Sequence, residues 1–227
     1  MNIKFVISKV FLFIVIIGLI VNSCSYTNEK YISEGVITFD AEVINKDHPL
    51  AGLAPSEMTT HFKNNHFLSE MSTMGIFVSK FITNPDNKTF ISMVKIFDVK
   101  NALIENEQEI KKELEEYQLE FTETDETKII AGYNCKKVIA VKKNNPNEKF
   151  EVFYTDEINI DHPNFSTPYE TIEGVVMKFR LKKFDLEMEF TANNVKKEVI
   201  DQHLFILPND YKKVSKKEMN DFFKSVQ

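Results

Sequence analysis

Beyond residue 35 the chain is dominated by apolar residues recurring at every second position. Ile37, Phe39, Ala41 and Val43 alternate with Thr38, Asp40 and Glu42, which predicts a strand with one buried face. Met58, Thr60 and Phe62 run into Asn64-Asn65, and the chain returns from His66 to Met71. Gly75 to Thr83 and Lys88 to Asp98 flank Asn84-Pro85-Asp86-Asn87. There Pro presets φ and Asn or Asp tolerates the left-handed region, so a turn is expected. Another pair, Asn134 to Val141 and Lys149 to Thr155, flanks Asn144-Asn145-Pro146-Asn147. The clearest hairpin joins Val175–Leu181 to Leu186–Ala192. Its apolar face carries Val175, Met177, Phe179 and Leu181 on one strand and Leu186, Met188, Phe190 and Ala192 on the other. Its polar face sets Lys178, Arg180 and Lys182 against Glu187 and Glu189, each opposite-charge pair worth about 0.2–1 kcal/mol. A sheet with one apolar and one solvated face is antiparallel architecture.

Two segments change period. From Asn101 to Tyr117, Leu103, Ile110, Leu114 and Tyr117 form one helical stripe, and Glu107–Lys111 and Lys112–Glu116 are spaced i,i+4. Near the C-terminus, Ser215-Lys216-Lys217-Glu218 has the form of a capping box, followed by an apolar face of Met219, Phe222 and Phe223. No repeat, low-complexity run or long linker divides residues 35–227. The expected fold is therefore mainly β with an α component: one antiparallel, open, curved sheet with about two helices hiding its apolar side.

The N-terminus reads as an address. Lys4 and Lys9 precede Val10 to Val21, an apolar run too short to span a bilayer, which needs about 20 residues, but suited to a signal peptide. Val21-Asn22-Ser23-Cys24 resembles the lipobox of bacterial lipoproteins, with Cys24 as the lipidated residue; an ordinary secretory signal with a chance Cys is the alternative. The expected division is a signal peptide over 1–23, the lipidated Cys24 and a polar tether over 24–34, and one domain over 35–227. Ser25, rather than the Asp that retains lipoproteins at the inner membrane, points to the periplasmic side of the outer membrane.

Composition narrows the function classes. Among 227 residues, 28 Lys and Arg against 34 Asp and Glu leave a net charge of −6, which excludes the basic field of a nucleic-acid binder. With Cys24 lipidated, Cys135 has no partner, and burial as inert packing is expected. The six glycines form no phosphate loop, and no G-x-S-x-G elbow is present. Ser92-Met93-Val94-Lys95 matches S-x-x-K, but within a strand its ends face opposite ways. None of His48, His61, His66, His162 and His203 forms HExxH. His61 and His66 converging with Glu70 on a metal is weighed and set below a solvated role. Glu105 to Glu116 reads as a solvated helix face. No catalytic, metal or cofactor set is expected, so an enzyme is the least favoured class. The surplus of Phe (20) and the two-sided apolar strand Phe90–Phe97 leave two readings: two-sided core burial, or a cavity for an acyl chain.

Three strings carry a resemblance: Ile130-Ala131-Gly132-Tyr133-Asn134-Cys135-Lys136-Lys137, Phe150 to Ile158 (FEVFYTDEI), and Ile172-Glu173-Gly174-Val175-Val176. In order and spacing they resemble uncharacterised bacterial envelope families that include the GLPGLI-type proteins. There an IAGYxCKKA strand precedes a WYTxEI strand and a Gly-centred turn. Phe153 stands where the family favours Trp, and Glu173-Gly174-Val175-Val176 stands where GLPGLI would. The resemblance spans residues 127–208 and implies a fold like the lipoprotein carriers LolA and LolB, an unclosed half-barrel with helices on its concave, apolar side. No catalytic residues are known for the group.

The resulting expectation is a lipid-anchored envelope protein that binds a lipid, an acyl chain or a lipidated partner without catalysis. The expected lining is Met177, Phe179, Leu181, Met188 and Phe190 beneath Met219, Phe222 and Phe223. An envelope interaction module with a filled core is the alternative.

Overall fold

A computed structural model describes residues 31–49, 51–183 and 186–225. Its strands are β1 (Glu34–Val43), β2 (Glu57–Lys63), β3 (His66–Thr73), β4 (Phe77–Asn84), β5 (Thr89–Ile96) and β6 (Val99–Asn106). Helix α1 (Glu107–Leu114) follows, then β7 (Leu119–Ile130), β8 (Tyr133–Lys142), β9 (Asn145–Thr155), β10 (Val175–Lys183), β11 (Leu186–Lys197), β12 (Lys212–Lys213) and helix α2 (Lys216–Lys224). All twelve strands form one open sheet in the order β12-β6-β5-β4-β3-β2-β1-β11-β10-β9-β8-β7. Every pairing is antiparallel except β12 with β6. The mainly β, antiparallel expectation holds, with α1 and α2 as the two α-helices among the described residues.

The helix expected over Asn101–Tyr117 is shorter. Residues 101–106 belong to β6, which pairs along its length with β5. Asn106 ends the strand and starts α1: its side chain accepts from the Gln108 and Glu109 backbones, and the Glu109 carboxylate accepts from the Asn106 N–H at 2.9 Å. This reciprocal box satisfies orphan donors at the first turn. The box expected at Ser215 and Glu218 is present at α2. Ile32, placed in the tether by sequence, is buried in the core and bridges Ile158. The strand β7 was not expected; its mostly exposed, charged positions suit the sheet edge it forms.

The sheet is strongly curled. β6 and β10 lie seven strand steps apart, roughly 34 Å if flat at about 4.8 Å per step. Yet Lys183 at the end of β10 reaches Glu105 of β6 at 3.9 Å and lies 4.9 Å above the Phe90 ring of β5. Such reach is possible only if the two limbs curve toward one another.

Both faces of β5 are covered, as its two-sided apolar pattern requires. On the inner face Val94, Ile96 and Leu103 pack against Met219 and Phe223 of α2. On the outer face Leu68, Ile82, Met93 and Ala102 lie under Ile200 and Phe205. The largest core, centred on Phe39, Phe62, Phe179 and Phe190, fills the inner face toward β1, β10 and β11. No helix among the described residues is long and apolar enough to cross a membrane.

Candidate functional site

Between these clusters the inner face is not filled. A cavity of about 240 Å³ is bounded by β1–β6, β10 and β11, by Ile110, Glu113 and Leu114 of α1, and by residues 163–169. Its wall is largely aromatic: Phe39, Phe67, Phe81, Phe90, Phe179 and Phe190 all face it. Phe179 makes an edge contact with Phe39 at 5.6 Å and stacks on Phe190 at 5.3 Å, and Phe81 stacks on Phe90. Ring pairs of this kind hold their positions and leave space that side chains do not close.

The loop over one side is pinned by two polar groups. The amide of buried Asn164 donates to the Ile172 and Gly174 carbonyls, both at 2.8 Å. A Cβ on Gly174 (φ 145°) would lie 2.7 Å from the Thr155 carbonyl oxygen, so close approach and backbone geometry both require glycine there. Tyr169, fully buried, accepts from the Arg180 N–H at 2.9 Å and donates to the Arg180 carbonyl; its burial pushes the phenol pKa up.

At the opposite side stands a charged group that the sequence reading treated as solvated. Glu105 projects from the inner face of β6, directly opposite Phe90 of β5, and is 2% exposed. Among the described residues no N–H or O–H donates to either of its carboxyl oxygens. Glu113 lies beside it and pairs with Lys183, and with Lys216 of α2 at 3.0 Å. Burial pushes the Glu105 carboxyl up to about 7, Lys183 opposing and Glu113 reinforcing. Burial also acts to raise Glu113, but Lys183, Glu105 and Lys216 outweigh it and hold that carboxyl down at about 2. The pair splits as two adjacent buried acids must, because both cannot ionise cheaply.

Of the residues expected to form the lining, Phe179, Leu181, Met188 and Phe190 face the cavity. Met177 does not. It is fully buried in the main core, next to a register shift between Val176 and Lys178 where β10 meets β9. Nor do Met219, Phe222 and Phe223, which belong to the α2 cluster over Val94 and Leu103. The helix covering the cavity is α1, because the curl brings the end of β10 to Glu105 and to Glu113 of α1. Cys24 lies outside the described residues.

Other sequence candidates resolve locally. Cys135 is fully buried, and burial pushes its thiol up to about 11, which disfavours the nucleophilic thiolate. His66 packs on Phe205 at 5.6 Å, and Glu70 pairs with Lys80. No group of three His, Cys, Asp or Glu among the described residues could hold a metal ion. Ser92 is fully buried and belongs to a strand, not to a helix start.

No family model matches the chain, and no curated protein matches it in sequence. Among solved structures it is similar to PNGF-II in space group P21, at 18% identity and a TM-score of 0.51, over 84% of this chain and 33% of that one. PNGF-II in space group C2 matches at 19% identity and a TM-score of 0.48, over 83% and 32%. The chain thus spans about a third of the length of these structures, and the P21 likeness shows a shared fold alone.

Proposed function

We propose that this protein binds an apolar ligand without catalysis, as a lipid-anchored protein on the periplasmic side of the outer membrane, using a LolA/LolB-like half-barrel. The observation that carries the reading is the Phe-lined cavity under α1. An aromatic hollow with few polar groups suits a chain or ring system. Its volume of about 240 Å³ falls just under the roughly 300–1,000 Å³ of drug-sized sites, so it suits one chain of a lipid rather than a whole diacyl molecule. The anchor rests on the apolar run to Val21 and on Cys24.

Two measurements test it. Organic extraction of the purified full chain, followed by mass spectrometry, is expected to release about one alkyl- or ring-bearing molecule per chain, the covalent anchor staying on the protein. A protein that is empty, and stays empty when offered lipids, overturns the ligand reading. Labelled fatty acid fed to cells is expected to mark the native protein and not Cys24→Ser; label persisting on the variant overturns the anchor. An empty protein would favour the interaction-module reading, for which exposed Met74, Ile76, Phe97 and Val99 on two hairpin tips joined by the Phe97 N–H to Ile76 carbonyl bond offer a surface.

A further inference from the structure

We propose that the cavity selects its ligand by head group, taking a molecule with one apolar chain or ring system and a hydroxyl that donates a hydrogen bond to Glu105. The inference rests on the ligand-binding reading above and specifies the class of ligand. A carboxyl 2% exposed, facing an apolar cavity with no described N–H or O–H donating to either oxygen, is costly unless something donates to it. Among the described residues nothing supplies that donor. The Lys183 ammonium stays 3.9 Å away and is engaged by Glu113 and the Phe90 ring.

A second polar atom of the same wall shows the same lack. The Ser166 hydroxyl is buried without a partner, on a residue held in the left-handed region at φ 65°. Left-handed backbone at a non-glycine residue is strain that surrounding structure must maintain. The Ser92 hydroxyl, also buried and unpartnered, shares the inner face with Glu105 on the neighbouring strand. Of these, Glu105 and Ser166 border the largely apolar space, and that demand suits a ligand with a polar end.

The neighbouring charges restrict what that end can be. An anionic head beside Glu105 would meet ionised Glu113, whose counter-ions Lys183 and Lys216 are already committed to it. A cationic head would meet those same two lysines. An uncharged hydroxyl meets neither penalty and provides the donor that Glu105 lacks.

The chain contains no Trp, so Leu114→Trp, on α1 at the cavity wall, places a single fluorophore at the site in the full chain. Three probes of equal chain length are titrated against it: decanol, decyl methyl ether and decanoate. Decanol is expected to bind about ten-fold tighter than either of the others, the size of one good net hydrogen bond. Adding Glu105→Leu is expected to erase the preference for the alcohol over the ether. Glu105→Gln, which keeps an acceptor oxygen, is expected to retain most of it. Equal binding of alcohol and ether, or tighter binding of decanoate, overturns the head-group inference and leaves the cavity reading standing. If none of the three binds up to its solubility limit, the cavity reading falls as well.

Discussion

Replacing Glu187 with alanine is expected to lower the free energy of unfolding by about 3–5 kcal/mol, the loss typical when one partner of a buried charge pair is removed. Lys142 of β8 is 8% exposed, and its ammonium lies 2.7 Å from a Glu187 oxygen of β11, 2.6 Å from Glu148 of β9 and 4.9 Å above the Tyr117 ring. The Tyr117 hydroxyl donates to the other Glu187 oxygen at 2.8 Å, and the Glu187 N–H donates to the Asn45 side chain. Without the carboxylate, Lys142 keeps Glu148 but is under-compensated, and Tyr117 loses its acceptor. Urea unfolding followed by circular dichroism reads the loss. In a Lys142→Met background the same change is expected to cost about 1–2 kcal/mol, so the cycle returns a coupling of roughly 2 kcal/mol or more. Equal losses in both backgrounds would show that the pair is not the source. Tyr117 also lines the cavity, so the weakened protein is expected to bind ligand less tightly as well.

The hairpins were legible because their turns announce themselves. Asn64-Asn65 and Asn84-Pro85-Asp86-Asn87 lie where β2 meets β3 and β4 meets β5. The β7 strand was not legible, because an edge strand needs charge rather than a greasy face, and its register breaks between Glu123 and Thr127. The boundary of β6 and α1 was present in the letters but overridden. Asn106-Glu107-Gln108-Glu109 has the form of a capping box, and reading it would have stopped the helix at Glu107 and put Glu105 on the strand face of Leu103. Helical spacing of Leu103 with Ile110 concealed that. What no local pattern carried is the curl of the sheet. It brings Lys183 to Glu105 and Glu113 and makes α1, not α2, the cover of the cavity. Met177 escaped for a related reason: a register shift on β10 changes which residues face inward.

The carboxyl pair should write itself into the pH dependence of stability. Glu105 holds its proton up to about 7 when folded and releases it near 4.5 when unfolded. Its contribution is therefore complete below pH 4.5 and is lost as pH rises to about 7. Glu113 runs the other way: held at about 2 when folded, it contributes above pH 4.5 and loses that contribution as pH falls toward 2. Together they place a maximum near pH 4.5, with each limb worth at most about 3–4 kcal/mol at roughly 1.4 kcal/mol per pH unit. Glu105→Gln removes the upper limb alone. The variant is expected to match the native chain near pH 4.5 and to be more stable at pH 8 by up to about 3–4 kcal/mol. A native-minus-variant difference that does not change between those two pH values would show that Glu105 ionises freely. The same logic reaches the ligand: a hydroxyl that donates to Glu105 favours the ionised carboxylate, so a bound alcohol should stabilise the native chain more at pH 8 than at pH 4.5. In the Glu105→Gln variant, which has no proton to lose, that gain should be the same at both.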